Sequence, residues 1–266
     1  MNLHHLKVFL AIAQSGSISA GAARLFISQP AVTREIRELE ARLRLPLFDR
    51  QSRGVTLTAA GQRLLPYAER IFALEQAAER DLQAFANLGC GELHLGASAT
   101  LGSYLLPALI SDFHQRYPDL QLSLQIDNTA ASLQQLEDNA TTLAFIEGPF
   151  APEQFNHRHL GTDALLPVAS PKHPLAKQAS VSPVELADAA LLIREQGSGT
   201  RATLEQAYQA LGLQPRIAMA LGNSEALKRS LLAGQAVAWI SELAVQQELR
   251  SGQLCRLPVS NLQISR

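Results

Sequence analysis

Two sets of residues in this chain could do chemistry. The first is Gln29, Pro30, Thr33, Arg34 and Arg37 at helical spacing, followed by Arg50 and Arg53. Amide, hydroxyl and guanidinium groups of this kind hydrogen-bond base edges and phosphates in a DNA groove. The second is Ser98 and Thr100, then Glu147, then Gly197-Ser198-Gly199-Thr200-Arg201. Hydroxyls, free N–H groups and a guanidinium at a helix start suit a small anion. An N-cap with a flexible turn needs only Ser198 or Thr200, so capping competes with ligand binding there. Glu147 fits a hinge or a helix cap as well as a ligand contact.

Signatures of catalysis are missing. The sequence has no G-x-x-x-x-G-K-[ST], no H-E-x-x-H and no complete G-x-G-x-x-G. Gly96 to Thr100 and Gly222 to Ala226 resemble a nucleophile elbow but lack its closing glycine. His157-Arg158-His159 has no acid or cysteine at ligand spacing and reads as a surface loop. Cys90 and Cys255 form no C-x-x-C pair, which fits reduced thiols in a cytoplasm. No catalytic residue, metal site or cofactor is implied. No apolar run reaches the roughly 18 residues of a spanning helix, and Val8 to Ala13 is short for a signal peptide, so a cytoplasmic protein without a membrane partner is expected.

The two sets need separate frames. With 266 residues, 47% hydrophobic and 18% charged, the chain is globular in composition and long enough for about two domains. Residues 1–60 hold eight Lys/Arg and four acids, whereas residues 91–266 hold 12 basic and 16 acidic residues. A basic N-terminal module on an acidic body fits a small module that meets a polyanion.

In that module Leu3, Leu6, Phe9, Leu10 and Ala13 define one helix, ended by Gly16. Ser17 caps a second, running through Leu25. Ser28 caps a third with Pro30 in its first turn, where a missing N–H costs little. Val32, Ile36, Leu39 and Leu43 form its buried stripe, which leaves Gln29, Thr33, Arg34 and Arg37 opposite. A major-groove reader and an ordinary three-helix bundle with a solvated face both fit. Pro46 to Thr58 reads as a hairpin-like wing turning at Arg53-Gly54, with Arg50 and Arg53 placed for phosphate.

From 59 to 86 the pattern is helical, with Leu64, Ala68, Ile71, Glu75, Ala78, Leu82 and Phe85 as a heptad seam interrupted by one Glu. Pairing with a second copy or packing on the same chain's body would cover it. Gly89-Cys90-Gly91 ends the helix. Beyond it, strands at 92–97, 121–126 and 142–146 alternate with helices at 104–117 and 131–139. A second series follows, with strands at 164–169, 189–193, 217–220 and 236–240 and helices at 200–211 and 225–233. This reads as two α/β lobes on largely parallel sheets, crossing over near Gly161 and Pro258, with a cleft at the carboxyl ends of the strands.

The combination resembles the LysR-type transcriptional regulators. The resemblance rests on the S-x-S-x-A-A-A-R-L-F-like core within Phe9 to Phe26, Ser28 to Ile36 through Leu39-Glu40, Pro46-Leu47-Phe48-Asp49-Arg50, and Leu57-Thr58-Ala59-Ala60-Gly61. It implies a multidomain protein with an N-terminal all-α winged helix-turn-helix over 1–58 and a dimerising linker helix over 59–88. A C-terminal α/β, two-lobed, periplasmic-binding-protein-like effector domain would occupy 91–266, with lobe I over 91–160 and 259–266 and lobe II over 161–258.

The implied partners are double-stranded promoter DNA, a homodimer or homotetramer, RNA polymerase and a small anionic effector. Carried over by residue, DNA contacts fall on Gln29, Pro30, Thr33, Arg34, Arg37, Arg50 and Arg53, and effector contacts on Ser98, Thr100, Glu147, Ser198, Thr200 and Arg201. Ala97 to Gly102, Phe145 to Pro149, Arg194 to Arg201 and Leu221 to Ala226 are similar to the sulfur-assimilation and sulfite-responsive branch, which implies sulfite or sulfate. The competing class is a small-molecule-binding protein or enzyme whose N-terminal helices serve only in oligomerisation. Two features depart from the family pattern. Arg44 stands where glycine is usual, and the chain ends before a further strand and helix expected of lobe I.

Overall fold

The computed structural model describes residues 1–50, 54–86 and 91–266, and of Arg50, Arg80, Asp81 and 83–86 the backbone alone. Arg53, the side chain of Arg50 and Cys90 therefore lie outside the described residues. Among the described residues, no single helix is long and apolar enough to cross a membrane. The chain divides into two compact units, one centred on Met1–Ala86 and one on the α/β body.

The first unit opens with α1 (Leu3–Ser15), α2 (Ile18–Arg24) and α3 (Gln29–Leu43). Their starts are set by Asn2, Ser17 and Ser28, each accepting a backbone N–H of the first turn. Val32, Ile36 and Leu39 of α3 are buried with Leu6, Phe9 and Ile12 of α1, as the stripe predicts. Arg44 ends α3 at φ 56°, so it adopts the left-handed conformation that a glycine would favour. The turn is kept and the side chain bears the strain, so Arg44→Gly is expected to stabilise this unit by about 1 kcal/mol. A urea melt followed by circular dichroism checks it, and an unchanged midpoint would contradict it.

The wing is a two-stranded hairpin of β1 (Phe48–Arg50) and β2 (Val55–Leu57), with Phe48 opposite Leu57. Its base is clamped from α3, because the Glu40 carboxylate accepts the N–H groups of Leu47 and Phe48 at 2.7 and 3.3 Å. The Val55 N–H donates to the Gly16 carbonyl at 3.0 Å, which ties the wing to the turn after α1. Helix α4 (Ala59–Ala86) then begins, and its stripe divides. Leu64, Leu65, Ala68, Ile71 and Phe72 pack on the helix-turn-helix core, while Leu74, Ala78 and Leu82 stay exposed on this chain. The expected continuous seam is thus half intramolecular, because the short module lacks enough core without the first turns of α4.

The second unit holds two sheets. The first lobe has β3 (Glu92–Ser98), β4 (Gln121–Asp127) and β5 (Leu143–Phe145) in the parallel order β4-β3-β5, with α5 (Ala99–Tyr104), α6 (Leu106–Arg116) and α7 (Thr129–Glu137). The helix expected over 104–117 is α6, and a short helix not expected from the sequence, α5, precedes it and ends at Tyr104, ahead of Leu105 and Pro107. The second lobe has β6 (Ala164–Ala169), α8 (Pro183–Asp188), β7 (Leu191–Arg194), α9 (Gly199–Ala210) and β8 (Ile217–Leu221). It continues with α10 (Ser224–Ala233), β9 (Val237–Ser241), α11 (Glu242–Arg250), β10 (Cys255–Arg256) and β11 (Ile264–Ser265).

The second-lobe sheet runs β10-β6-β9-β7-β8 and is mixed. Strand β6 lies antiparallel to β9, because it is fed by the long connection from the first lobe and not by a helical crossover. The stretch 259–266, expected in lobe I, sits on lobe II. Ile264 pairs with Leu165 and is buried in the core of that lobe with Leu186 and Trp239.

Candidate functional site

In the first unit, α3 presents Gln29, Pro30, Arg34 and Arg37 to solvent, with Thr33 half-buried. Together with Glu38 and Ala41 these five line one shallow concavity on the helix. The Thr33 hydroxyl donates to the Gln29 carbonyl at 2.9 Å, so it rests on its own helix when no ligand is present. The Arg34 side chain is 71% exposed and held loosely, its nitrogens 3.5 Å from Glu35 and 3.8 Å from Glu38. Such surface pairs are worth at most about 1 kcal/mol, so a phosphate or guanine can recruit the guanidinium. This face of α3 carries mainly polar, flexible groups, with Pro30 and Ala41 between them, opposite a buried apolar stripe, an arrangement compatible with entry into a major groove.

The second constellation lies between the lobes of the second unit and centres on a residue that the sequence does not flag. The Arg266 side chain is 1% exposed. Its guanidinium donates to Asp163 at 2.9 and 3.0 Å, to Thr200 Oγ1 at 2.5 Å and to Thr100 Oγ1 at 3.2 Å, and stands 3.2 Å from Glu147. Ser98 donates its hydroxyl to the other oxygen of Glu147, and Ser241 donates to Asp163 at 2.8 Å. Four of the expected residues, Ser98, Thr100, Glu147 and Thr200, are therefore brought together by one buried cation. Burial pushes the Glu147 carboxyl up, against the opposing pull of Arg266 and Thr100.

The other two expected residues point elsewhere. Ser198 caps α9 by accepting the Arg201 N–H, the competing reading of that serine. The Arg201 side chain turns along α9 to Glu205 at 2.7 Å and donates to the Arg194 carbonyl at 3.3 Å. An acid one helical turn on and an open carbonyl hold it away from the Arg266 cluster.

The lobes are joined by close backbone approach. Thr129 Oγ1 accepts the Gly199 N–H at 3.1 Å and donates to the Glu147 carbonyl at 3.0 Å. A Cβ on Gly199 would stand 1.8 Å from that carbonyl, which is why the first turn of α9 carries glycine. Beside the cluster opens a cavity of about 710 Å³ lined by Tyr104, Asp127, Asn128, Arg194, Glu195 and Glu225 among others. Buried Arg194 is held by Glu195 at 2.8 and 2.9 Å. Tyr104 of the first lobe reaches Glu225 of the second at 2.6 Å, and burial with that hydrogen bond pushes its hydroxyl up to about 12. Lys228 anchors the same corner, 2.6 Å from Glu225 and 2.8 Å from Glu248. Sequence spacing gives no hint of Asp163 or Tyr104, whose partners lie far away along the chain, whereas Lys228 stands three residues after Glu225 on α10.

A helix-turn-helix with an exposed polar reading face, carried with a two-lobed α/β unit that encloses a polar cleft, defines a ligand-responsive DNA-binding protein. The family models agree: "Bacterial regulatory helix-turn-helix protein, lysR family" matches residues 3–62 and "LysR substrate binding domain" matches residues 86–266. The chain belongs to the LysR family of transcriptional regulators. It is 32% identical over 264 residues to the HTH-type transcriptional activator CmpR of Synechocystis sp., covering 99% of this chain and 86% of that protein. It is likewise 32% identical to a probable RuBisCO transcriptional regulator of Cyanidium caldarium, over 99% of this chain and 85% of that one. The regulatory domain of Synechocystis PCC6803 CcmR in complex with 2-PG matches with a TM-score of 0.59 and 26% identity, over 65% of this chain and 84% of that one. The name of the Cyanidium relative points toward carbon fixation, and these relatives lend no support to the sulfur branch.

Proposed function

We propose that this chain regulates promoters by laying α3 in the major groove of operator DNA, under control of a small anion taken into the cleft around Arg266. Gln29, Pro30, Thr33, Arg34 and Arg37 would meet bases and phosphates, with Arg50 and Arg53 of the wing on the backbone. The exposed Leu74, Ala78 and Leu82 of α4 support a dimer, and membership of the family implies a dimer of dimers. RNA polymerase would be met at the promoter.

The observation that carries the effector reading is the buried guanidinium of Arg266 on the hydroxyls of Thr100 and Thr200, with the Ser98 hydroxyl on its counter-ion Glu147. Its present counter-ions are Glu147 and Asp163, so an arriving anion competes with the Glu147 carboxylate, which burial already disfavours in its charged form. Sulfite or sulfate would suit such a small hydroxyl-lined site. The CcmR neighbour's ligand brings 2-PG into the same panel.

Calorimetric titration of the full chain with sulfite, sulfate, acetate and 2-PG tests this. One of these anions is expected to bind the wild type, and at least tenfold more weakly to Thr100→Val and Thr200→Val. Wild-type titrations in both variants would overturn the placement, and no binding by any anion would overturn the class.

A further inference from the structure

We infer that His5, Glu35 and Glu38 form a binding site for a divalent transition-metal ion of zinc's class, bridging α1 and α3. Glu35 and Glu38 are three apart on α3 and so share a face. His5, in the first turn of α1, brings Nε2 to 3.3 Å from Glu35 Oε2 and 3.7 Å from Glu38 Oε2. The ligand atoms of the three residues lie within 4.8 Å of one another. Donors at the usual zinc distances around a tetrahedral ion stand about 3.3–3.5 Å apart, so little movement is needed to close on a metal.

The His5 side chain is 10% exposed, and its Nδ1 is buried with no hydrogen-bond partner among the described residues. The ring's polar contacts are thus all made through Nε2, which is aimed at the two carboxylates. His4 stands 3.7 Å from Glu35 but is not among the three converging residues, so solvent would complete the shell. An imidazole with two carboxylates selects a borderline ion such as Zn²⁺ over Mg²⁺ or Ca²⁺, which prefer all-oxygen shells. His5 stands 30 and 33 positions before Glu35 and Glu38 in sequence, so no ligand spacing is visible there.

The site bears on regulation. Arg34 approaches Glu35 and Glu38 through their Oε1 atoms, while His5 approaches through Oε2. An ion on the Oε2 side neutralises both carboxylates and frees Arg34 for DNA. This consequence rests on the reading of α3 as the DNA helix, whereas metal binding itself does not.

The test uses the full-length chain, stripped with a chelator and titrated with Zn²⁺ against a chromogenic competitor, with Co²⁺ absorption reporting geometry. The wild type is expected to take one ion per chain with a tetrahedral Co²⁺ spectrum. Glu38→Gln, at a largely exposed side chain, should weaken binding at least tenfold, and His5→Gln should abolish it, with circular dichroism checking that each variant folds. Absence of zinc binding by the wild type, or equal affinity in Glu38→Gln, overturns the site. Displacement of the ion by millimolar Mg²⁺ overturns the metal class. Zinc is also expected to raise operator affinity in the wild type and not in Glu38→Gln. A wild type that binds zinc with unchanged operator affinity overturns the coupling, and a chain that binds zinc but no operator DNA defeats the DNA reading while the site stands.

Discussion

Arg266→Met is expected to destabilise the second unit by about 3–5 kcal/mol, because it leaves the carboxylates of Glu147 and Asp163 buried without their cation. The chain's single tryptophan, Trp239, lies in the second-lobe core with its ring N–H on Tyr208 at 3.2 Å, so its fluorescence reports this lobe in a urea melt. Adding Glu147→Gln should recover part of the loss, since the second change removes one of the stranded charges. The Glu147 pKa is raised in the folded state. Its contribution is therefore fully present below the ordinary carboxylate range and lost as pH rises through the elevated folded value. Glu147→Gln alone should thus exceed the wild type in stability at neutral pH, with the gap closing as pH falls. A melt of Arg266→Met superposing on the wild type would show that the guanidinium is not what balances the cleft.

Gly199→Ala is expected to cost about 3 kcal/mol, although alanine is the better helix former. The added methyl would lie 1.8 Å from the Glu147 carbonyl and 2.7 Å from Thr129 Oγ1, so the end of β5 and the start of α9 must separate. Anion binding should weaken with it, because Thr200 follows directly on the displaced residue. Gly161→Ala, where a Cβ meets nothing within 4 Å among the described residues, is the control and should be near neutral. Equal midpoints for the two variants would contradict the close approach of the lobes.

Legibility in sequence followed the range of the interactions. Caps at Ser17 and Ser28, the Val32/Ile36/Leu39 stripe and the extent of α4 are local, governed by helical period and first-turn hydrogen bonding, and they read directly. The convergence of Ser98, Thr100, Glu147 and Thr200 is legible only as strand-end and helix-start chemistry, because the element that draws them together is the side chain of Arg266, 166 positions from Thr100. Arg201 misleads because the same spacing that puts a cation at a helix start also puts Glu205 one turn below it. The direction of β6 was hidden for a related reason, since alternating strands and helices say nothing about a strand entered through a long connection. The divided stripe of α4 shows the limit of heptad counting, which finds an apolar seam but not which partner covers each half.

DNA recognition by α3 is the step on which regulation by this chain depends. The direct measurement is fluorescence anisotropy of the full chain on its own upstream intergenic DNA and on a scrambled duplex at two salt concentrations, for the wild type and Arg34→Ala. Tight, salt-dependent binding that prefers the native sequence, and is weakened in Arg34→Ala by about 1–3 kcal/mol, is expected. Equal binding to both duplexes, with Arg34→Ala indistinguishable from the wild type, would contradict it.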